Sequence, residues 1–347
     1  MQNQFRQPEL LIDGAHGEGG GQILRTALGL SLVTGRPFRL VNIRAGRNRP
    51  GLLAQHLAAV NAAADIGASQ VQGAALGSRE LSFAPHEARP GEYEFKIGTA
   101  GSATLVLQAV LPALLCASTS STIVIEGGTH NLAAPPFDFL ARAFLPLVNR
   151  MGPGVQWRLA RYGFYPAGGG RVEFVVQPAG VWQPLTLNDR GAIRAKRVRA
   201  IVSRVPLSIA HRELQVIAAD AGWQGAEMQA LEVSNSPGPG NILLLEIDSE
   251  HVTEVFTGFG QKGLRAEAVA EMALREASEY LAGGAPVGQH LADQLQVPLA
   301  LAGGGSYVTS ELTPHATTNM DVIRRFLDVK LSAERVGDQA WMVTARQ

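Results

Sequence analysis

A glycine run that opens a helix turns unpaired backbone N–H groups outward with the positive end of the helix dipole behind them, and so favours an anion such as phosphate. HGEGGGQILR, residues 16–25, has that form, with Arg25 one turn into the helix that follows. It lacks the lysine-hydroxyl ending of a P-loop and the setting of a dinucleotide fingerprint, so neither standard nucleotide fold is indicated. Glycines ahead of a helix also serve tight turns, and the loop alone decides nothing. Arg44, Arg47 and Arg49 fall just before a second helix. With Arg25 they would build a compact polyanion site, although an arginine run is by default a solvated loop. Glu18 stands among the glycines, where phosphates would repel it unless a Mg²⁺ or Mn²⁺ ion bridges them; a carboxylate favouring the helix dipole is the plainer alternative. None of the eight histidines forms a zinc-type HxxxH pair and there is one cysteine, so no structural zinc is expected. His315, in SELTPHATTNMD, lies among hydroxyl residues ahead of a helix, and spacing alone does not separate it from an ordinary hydrogen-bonded loop histidine.

The elements that must position these residues follow from hydrophobic periodicity. ELLIDG reads as a buried strand, and QILRTALGLSLVTG as a helix with Ile23, Leu24, Ala27, Leu28 and Leu32 on one face. PFRLVNIR is a second strand, LLAQHLAAVNAAADIGA a second helix closing at glycine, and VQGAALGS with RELSFAP two further strands. The order then recurs: YEFKIG, a second glycine loop GTAGS, a helix through LPALLCAS, the strand STIVIEGGT and the helix APPFDFLARAFLPLVNRMG. Two glycine loops in equivalent places imply an internal duplication. A third copy is read as opening with YPAGGGRVEFVVQPAG and as interrupted by an α/β subdomain over 189–283, after which GQHLADQL and VIRRFLDVKLSAE resume it. The expected fold is α+β, three tandem βαβαββ modules with an α/β domain inserted in the third, the core being 1–188 and 284–347.

Composition narrows the partners. Hydrophobic residues at 46% and charged residues at 17% describe an ordinary soluble globular chain. A net charge of +0 and a pI near 7.1 argue against coating of duplex nucleic acid, so any nucleic-acid contact is local. Cys116 lies in an apolar run and is expected to be a buried small hydrophobe in a reducing, cytoplasmic setting. No signal peptide or membrane span is expected, the N-terminus MQNQFRQPELLIDG included.

HGEGGGQILR, IRAGRNRPGLLAQHL, GTAGSATLVLQAVLPALL, GGTHNLAAPPFDF and above all RYGFYPAGGGRVEF resemble the RNA 3'-terminal phosphate cyclases, from about Leu11 to the C-terminal strand. The resemblance implies tandem modules like the C-terminal domain of translation initiation factor three, with one inserted domain. It implies that His315 attacks the α-phosphate of ATP to give histidine-AMP, that AMP passes to an RNA 3'-phosphate, and that the neighbouring 2'-hydroxyl closes a 2',3'-cyclic phosphate. By the same resemblance Arg25, Arg44, Arg47 and Gln55 are phosphate or RNA-end contacts, and Glu18 is the metal-associated carboxylate for Mg²⁺ or Mn²⁺. Gln108, Pro135 and the segment His290, Leu291, Ala292, Asp293 and Gln294 correspond to the ATP pocket. The family carries tyrosine where this chain has His290, which offers a purine less stacking area. A homodimer stays open. The rival reading is a non-catalytic cyclase-like factor of ribosomal RNA processing, which would lack the nucleophilic histidine; enolpyruvyl transferases share a similar architecture, but their motifs are not found.

Overall fold

The first six elements establish the pattern of the molecule. In the computed structural model, which describes residues 9–337 and 340–347, β1 (Leu10–Asp13) lies parallel to β2 (Phe38–Val41), joined through α1 (Gly21–Thr34). α2 (Ala54–Ile66) then leads to the antiparallel strands β3 (Gln70–Gln72) and β4 (Leu81–Ala84), in the order β1-β2-β4-β3. α1 stops where Gly35 adopts φ 69° and returns its N–H to the Ser31 carbonyl, a left-handed cap that glycine takes without strain. Its apolar residues are buried almost all round because it packs between α2 and two helices of the later units.

The second unit repeats the first: β5 (Glu92–Lys96), α3 (Ala103–Leu115), β6 (Ser121–Gly127), a helical segment, β7 (Gly154–Arg161) and β8 (Gly170–Gln177), in the order β5-β6-β8-β7. Alternate residues of β6 are buried, as expected of a sheet covered by helices on one face. The helical segment is α4 (Phe137–Phe139), a π turn over Leu140–Phe144, and α5 (Leu145–Arg150). Pro146, in the first turn of α5, has no N–H to continue an α-helical ladder, and the Leu145 N–H bonds instead to the Leu140 carbonyl five residues back.

β9 (Leu185–Leu187) opens the third unit. Before its sheet is completed the chain builds a fourth sheet from β10 (Ile193–Ser203), β11 (Glu227–Glu232), β12 (Gly240–Ser249) and β13 (Thr253–Phe259), ordered β11-β10-β12-β13 and covered by α6 (Ser208–Ala219) and α7 (Ala266–Gly283). It then returns through α8 (Gln289–Leu301), β14 (Gly304–Thr309), α9 (Pro314–Phe326), β15 (Lys330–Gly337) and β16 (Ala340–Arg346). β14 lies parallel to β9, and the order β9-β14-β16-β15 repeats that of the first two sheets. One cluster of buried side chains runs through these three units, and a second fills the unit of the fourth sheet.

The structure corrects three expectations. RVEFVVQ does not open the third copy: it is β8, antiparallel to β6 within the second sheet. The true opening, β9, is three residues without a recognisable apolar run. RAKRVR lies on β10, an interior strand of the fourth sheet, and its charges are engaged: Arg197 with Glu246 and Asp248, Arg199 with Asp138. Cys116 is exposed because α3 ends at Leu115 and the cysteine falls at its C-cap. His315 is not in a loop ahead of a helix; Thr313 caps α9 by accepting from the Ala316 N–H at 3.2 Å, Pro314 takes the first position, and His315 falls in the first turn. Among the described residues no helix is long and apolar enough to cross a membrane, and the reading of the first eight residues as no leader lies outside them.

Candidate functional site

The N-terminal turns of α1, α2, α8 and α9 open onto one cavity of about 680 Å³. Each brings partly unsatisfied N–H groups and a positive dipole end, so the cavity favours negative charge before any side chain is counted. Arg25, Arg44 and Arg47 line it together with Glu18 and His315, residues from opposite ends of the chain.

The three arginines differ in what they are free to do. Arg44, in left-handed conformation at φ 52°, folds back on its own loop and donates to the carbonyls of Arg49 at 2.5 Å and Gly51 at 2.9 Å. Arg47 donates to the Glu18 backbone carbonyl at 2.9 Å and is ion-paired with the Glu18 carboxylate. The second carboxylate oxygen accepts from the Gly20 N–H at 2.8 Å. Arg25 makes no hydrogen bond or ion pair among the described residues, and burial pulls its pKa down to about 10, against the opposing pull of Asp293 and Glu18. A charged guanidinium without a partner facing a cavity is poised for an anionic ligand.

Beside Arg25 stands His56, which the sequence reading passed over. Its Nδ1 accepts the Leu53 N–H at 3.1 Å, which puts the ring proton on Nε2. Burial, then Arg25 and Arg44, push its pKa down to about 3. It is a neutral donor at physiological pH. Gly21 makes room for the pair: a Cβ there would come within 2.5 Å of His56 Nε2 and 2.7 Å of Arg25 Nη1.

His315 Nε2 lies 3.7 Å from Glu18 Oε1, and its Nδ1 lies 2.9 Å from Gln22 Oε1. The other end of the Gln22 amide, Nε2, donates to Asp293 Oδ2 at 2.5 Å. Burial raises the pKa of Asp293. Asn319 joins the same three helices, donating to the Asp293 carbonyl at 2.9 Å and accepting from the Thr26 hydroxyl at 2.6 Å. Neither Gln22 nor Asn319 was singled out from sequence; Gln22 directly follows the glycines, a position that could have flagged it.

The remaining predicted residues divide by helix geometry. Gln55 accepts from the Ser102 N–H at 3.3 Å, and Gln108 donates to Gln294 at 2.7 Å across the gap between α3 and α8. Pro135 borders the cavity, and its carbonyl accepts from Thr104 at 2.7 Å. On α8, His290, Asp293 and Gln294 face the cavity. Leu291 and Ala292 do not: both are fully buried on the opposite face, where the Ala292 carbonyl accepts from Tyr307. Arg49 is exposed and outside the cavity, so the cradle holds three of the four expected guanidinium groups. His290 Nε2 lies 3.7 Å from Glu276 of α7, a contact that raises its pKa. The fourth-sheet unit adds Val255, Thr257 and Phe259 as one largely apolar wall, and Phe139 at the end of α4 and Phe144 in the π turn line the same cavity.

A family model described as RNA 3'-terminal phosphate cyclase matches residues 16–333. The chain belongs to the RNA 3'-terminal phosphate cyclase family. Among proteins named RNA 3'-terminal phosphate cyclase, that of Koribacter versatilis is 52% identical over 320 residues, covering 92% of this chain and 90% of its own. That of Ralstonia nicotianae is 52% identical over 340 residues, 97% of each, and that of Ectopseudomonas mendocina 49% identical over 336 residues, 97% and 98%. The matched span of the cyclase family model contains Glu18, Arg25 and His315, and thus both ends of the cavity described above.

Proposed function

We propose that this chain uses ATP to convert an RNA 3'-terminal phosphate into a 2',3'-cyclic phosphodiester, through histidine-AMP on His315 and then an RNA-adenylate. The observation that carries this is the imidazole of His315 facing the cavity that holds Arg25, Arg44 and Arg47. Imidazole is largely neutral above about pH 6.5 and offers a ring lone pair without a strong base. That nitrogen bonds to the α-phosphorus of ATP as the bridging P–O bond breaks and pyrophosphate leaves. An oxygen of the RNA 3'-phosphate next takes the adenylyl group, breaking the N–P bond and restoring the imidazole. The 2'-hydroxyl oxygen then attacks the activated phosphorus, AMP leaves, and the hydroxyl proton is released. Without adenylation the ring could close only by expelling oxide, and prior placement of the 2'-hydroxyl contributes on the order of 7 kcal/mol or more.

Arg25, Arg44, Arg47 and Gln55, with His56 as a neutral donor, bind the phosphates and the RNA end, where negative charge accumulates. Pro135, Gln108, His290, Asp293 and Gln294 hold the nucleoside of ATP. Among the described residues no group of three His, Cys, Asp or Glu side chains is placed to hold a metal. Glu18 supplies one carboxylate at the glycine loop, a donor set that fits Mg²⁺ or Mn²⁺ held chiefly by substrate phosphates and water. Such an ion, when bound, offsets phosphate charge. Glu18→Ala is expected to weaken the divalent-ion dependence of labelling.

ATP radiolabelled at the α-phosphate tests the proposal. Acid-labile label is expected on the wild type and none on His315→Ala; label persisting on that variant removes His315 as nucleophile. Absence of label on the wild type, with 3'-phosphorylated RNA still bound, would favour a non-catalytic RNA processing factor.

A further inference from the structure

We infer that Gln22 is a positioning residue that sets the tautomer of His315, leaving Nε2 as the nitrogen that carries the free lone pair. This deepens the adenylylation reading and rests on it for its catalytic meaning.

A glutamine amide has a donating end and an accepting end, and which faces which partner follows from the partners. Asp293 decides here. An ionised carboxylate only accepts, so the Gln22 NH₂ must face Asp293 Oδ2, at 2.5 Å. The amide oxygen is therefore the atom 2.9 Å from His315 Nδ1, and an oxygen there requires a proton on Nδ1. Nε2 is left without one, on the edge of the ring facing Glu18 and the phosphate cradle. The reverse tautomer would place a protonated Nε2 toward ATP and could not attack. Reversing the amide instead would set its oxygen against the carboxylate and lose the bond to Asp293.

The relay is held rigidly. Gln22 is 8% exposed in the first turn of α1. Asp293 is fixed through its backbone by Asn319, and Asn319 by Thr26, so α1, α8 and α9 cannot shift independently. Burial draws Asp293 toward its neutral form, and the Gln22 hydrogen bond with the positive charge of Arg25, one turn after Gln22, pulls against it toward the ionised carboxylate on which the order depends.

The test reads the tautomer and the chemistry separately. Histidine ¹⁵N–¹H spectra of the full-length protein at pH 8 without nucleotide, with His315 assigned by comparison with His315→Ala, should show Nδ1–H and an unprotonated Nε2. Gln22→Leu keeps the volume and removes the acceptor; its His315 signal should move toward the Nε2–H form. Label transfer from α-labelled ATP should fall on the order of 10²- to 10⁴-fold, by analogy with loss of a tautomer-setting partner elsewhere, while nucleotide binding stays within about twofold. The exchanged pair Gln22→Glu with Asp293→Asn rebuilds donor and acceptor in the opposite direction, since a carboxylate at 22 accepts from both neighbours. It should label faster than Asp293→Asn alone. Nε2–H on the wild type, Nδ1–H retained in Gln22→Leu, or no gain in the exchanged pair would each overturn the assignment. Because the spectra need no ATP, a wild type that never becomes labelled would sink the adenylylation reading without deciding the tautomer, which the spectra decide alone.

Discussion

Arg25 carries a cost in the free protein and a use in the loaded one. Its guanidinium is withdrawn from water with no partner among the described residues, and such a cation is retained against stability. Arg25→Met should therefore raise the midpoint of thermal unfolding, by the equivalent of about 1 kcal/mol, while lowering kcat/KM for cyclisation on the order of 10²-fold. Calorimetry and initial rates measure the two sides, and a variant both less stable and fully active would contradict this account. Lysine should rescue little, since a point-charge ammonium does not reproduce the planar fork. Arg25 itself was legible from its place behind the glycines. His56 was not, because its significance comes from the Leu53 N–H that fixes its proton and from the burial and neighbouring arginines that keep it neutral.

At the scale of elements, helix starts do most of the positioning. The Thr313–Pro314 pair is a cap and first-turn signal that places His315 inside α9, and it was present in the sequence. α8 begins differently, with buried Glu254 of β13 accepting the Gly288 N–H at 2.6 Å. Burial raises the Glu254 pKa to about 7, although the Gly288 hydrogen bond pulls the other way. A folded-state pKa above the unfolded value near 4.5 means that the folded protein keeps this proton where the unfolded chain has lost it. Its contribution to stability accordingly falls as pH rises from about 4.5 to 7, and the penalty is complete above that. Glu254→Gln keeps an acceptor and cannot ionise. Its stability relative to wild type, from chemical unfolding, should improve between pH 5 and pH 8 by up to about 3 kcal/mol. A difference that stays flat across that range would show that Glu254 does not titrate as its burial requires.

Over the whole molecule, the fourth-sheet unit is tied to the second unit through one buried network. His130 is hydrogen-bonded to Asp138 at 2.8 Å, and Arg199 of β10 donates to the other carboxylate oxygen at 2.7 Å. Burial alone would raise the Asp138 pKa, but His130 and Arg199 together hold it at about 2. Arg199→Ala would leave that carboxylate short of a partner, at a cost on the order of 3 kcal/mol. Because Val255, Thr257 and Phe259 reach the cavity from the same unit, the variant should also raise KM for ATP more than it lowers kcat. Denaturant unfolding with steady-state kinetics checks both; unchanged ATP KM would mean that the wall keeps its place without the tie.

Local periodicity determined where most strands and helices lie, because 3.6- and 2-residue burial patterns are properties of neighbouring residues, and the glycine and arginine motifs marked the loops that border the cavity. Strand pairing was another matter. β8 has the alternation of any strand, and only its hydrogen bonds to β6 and β7 assign it to the second sheet; β9 is too short to announce itself and is defined by lying parallel to β14, more than a hundred residues later. The meeting of Gln22, Asp293 and His315 was equally invisible, since hydrogen bonds between residues about 270 and 290 positions apart depend on how three helices pack and leave no trace in local spacing.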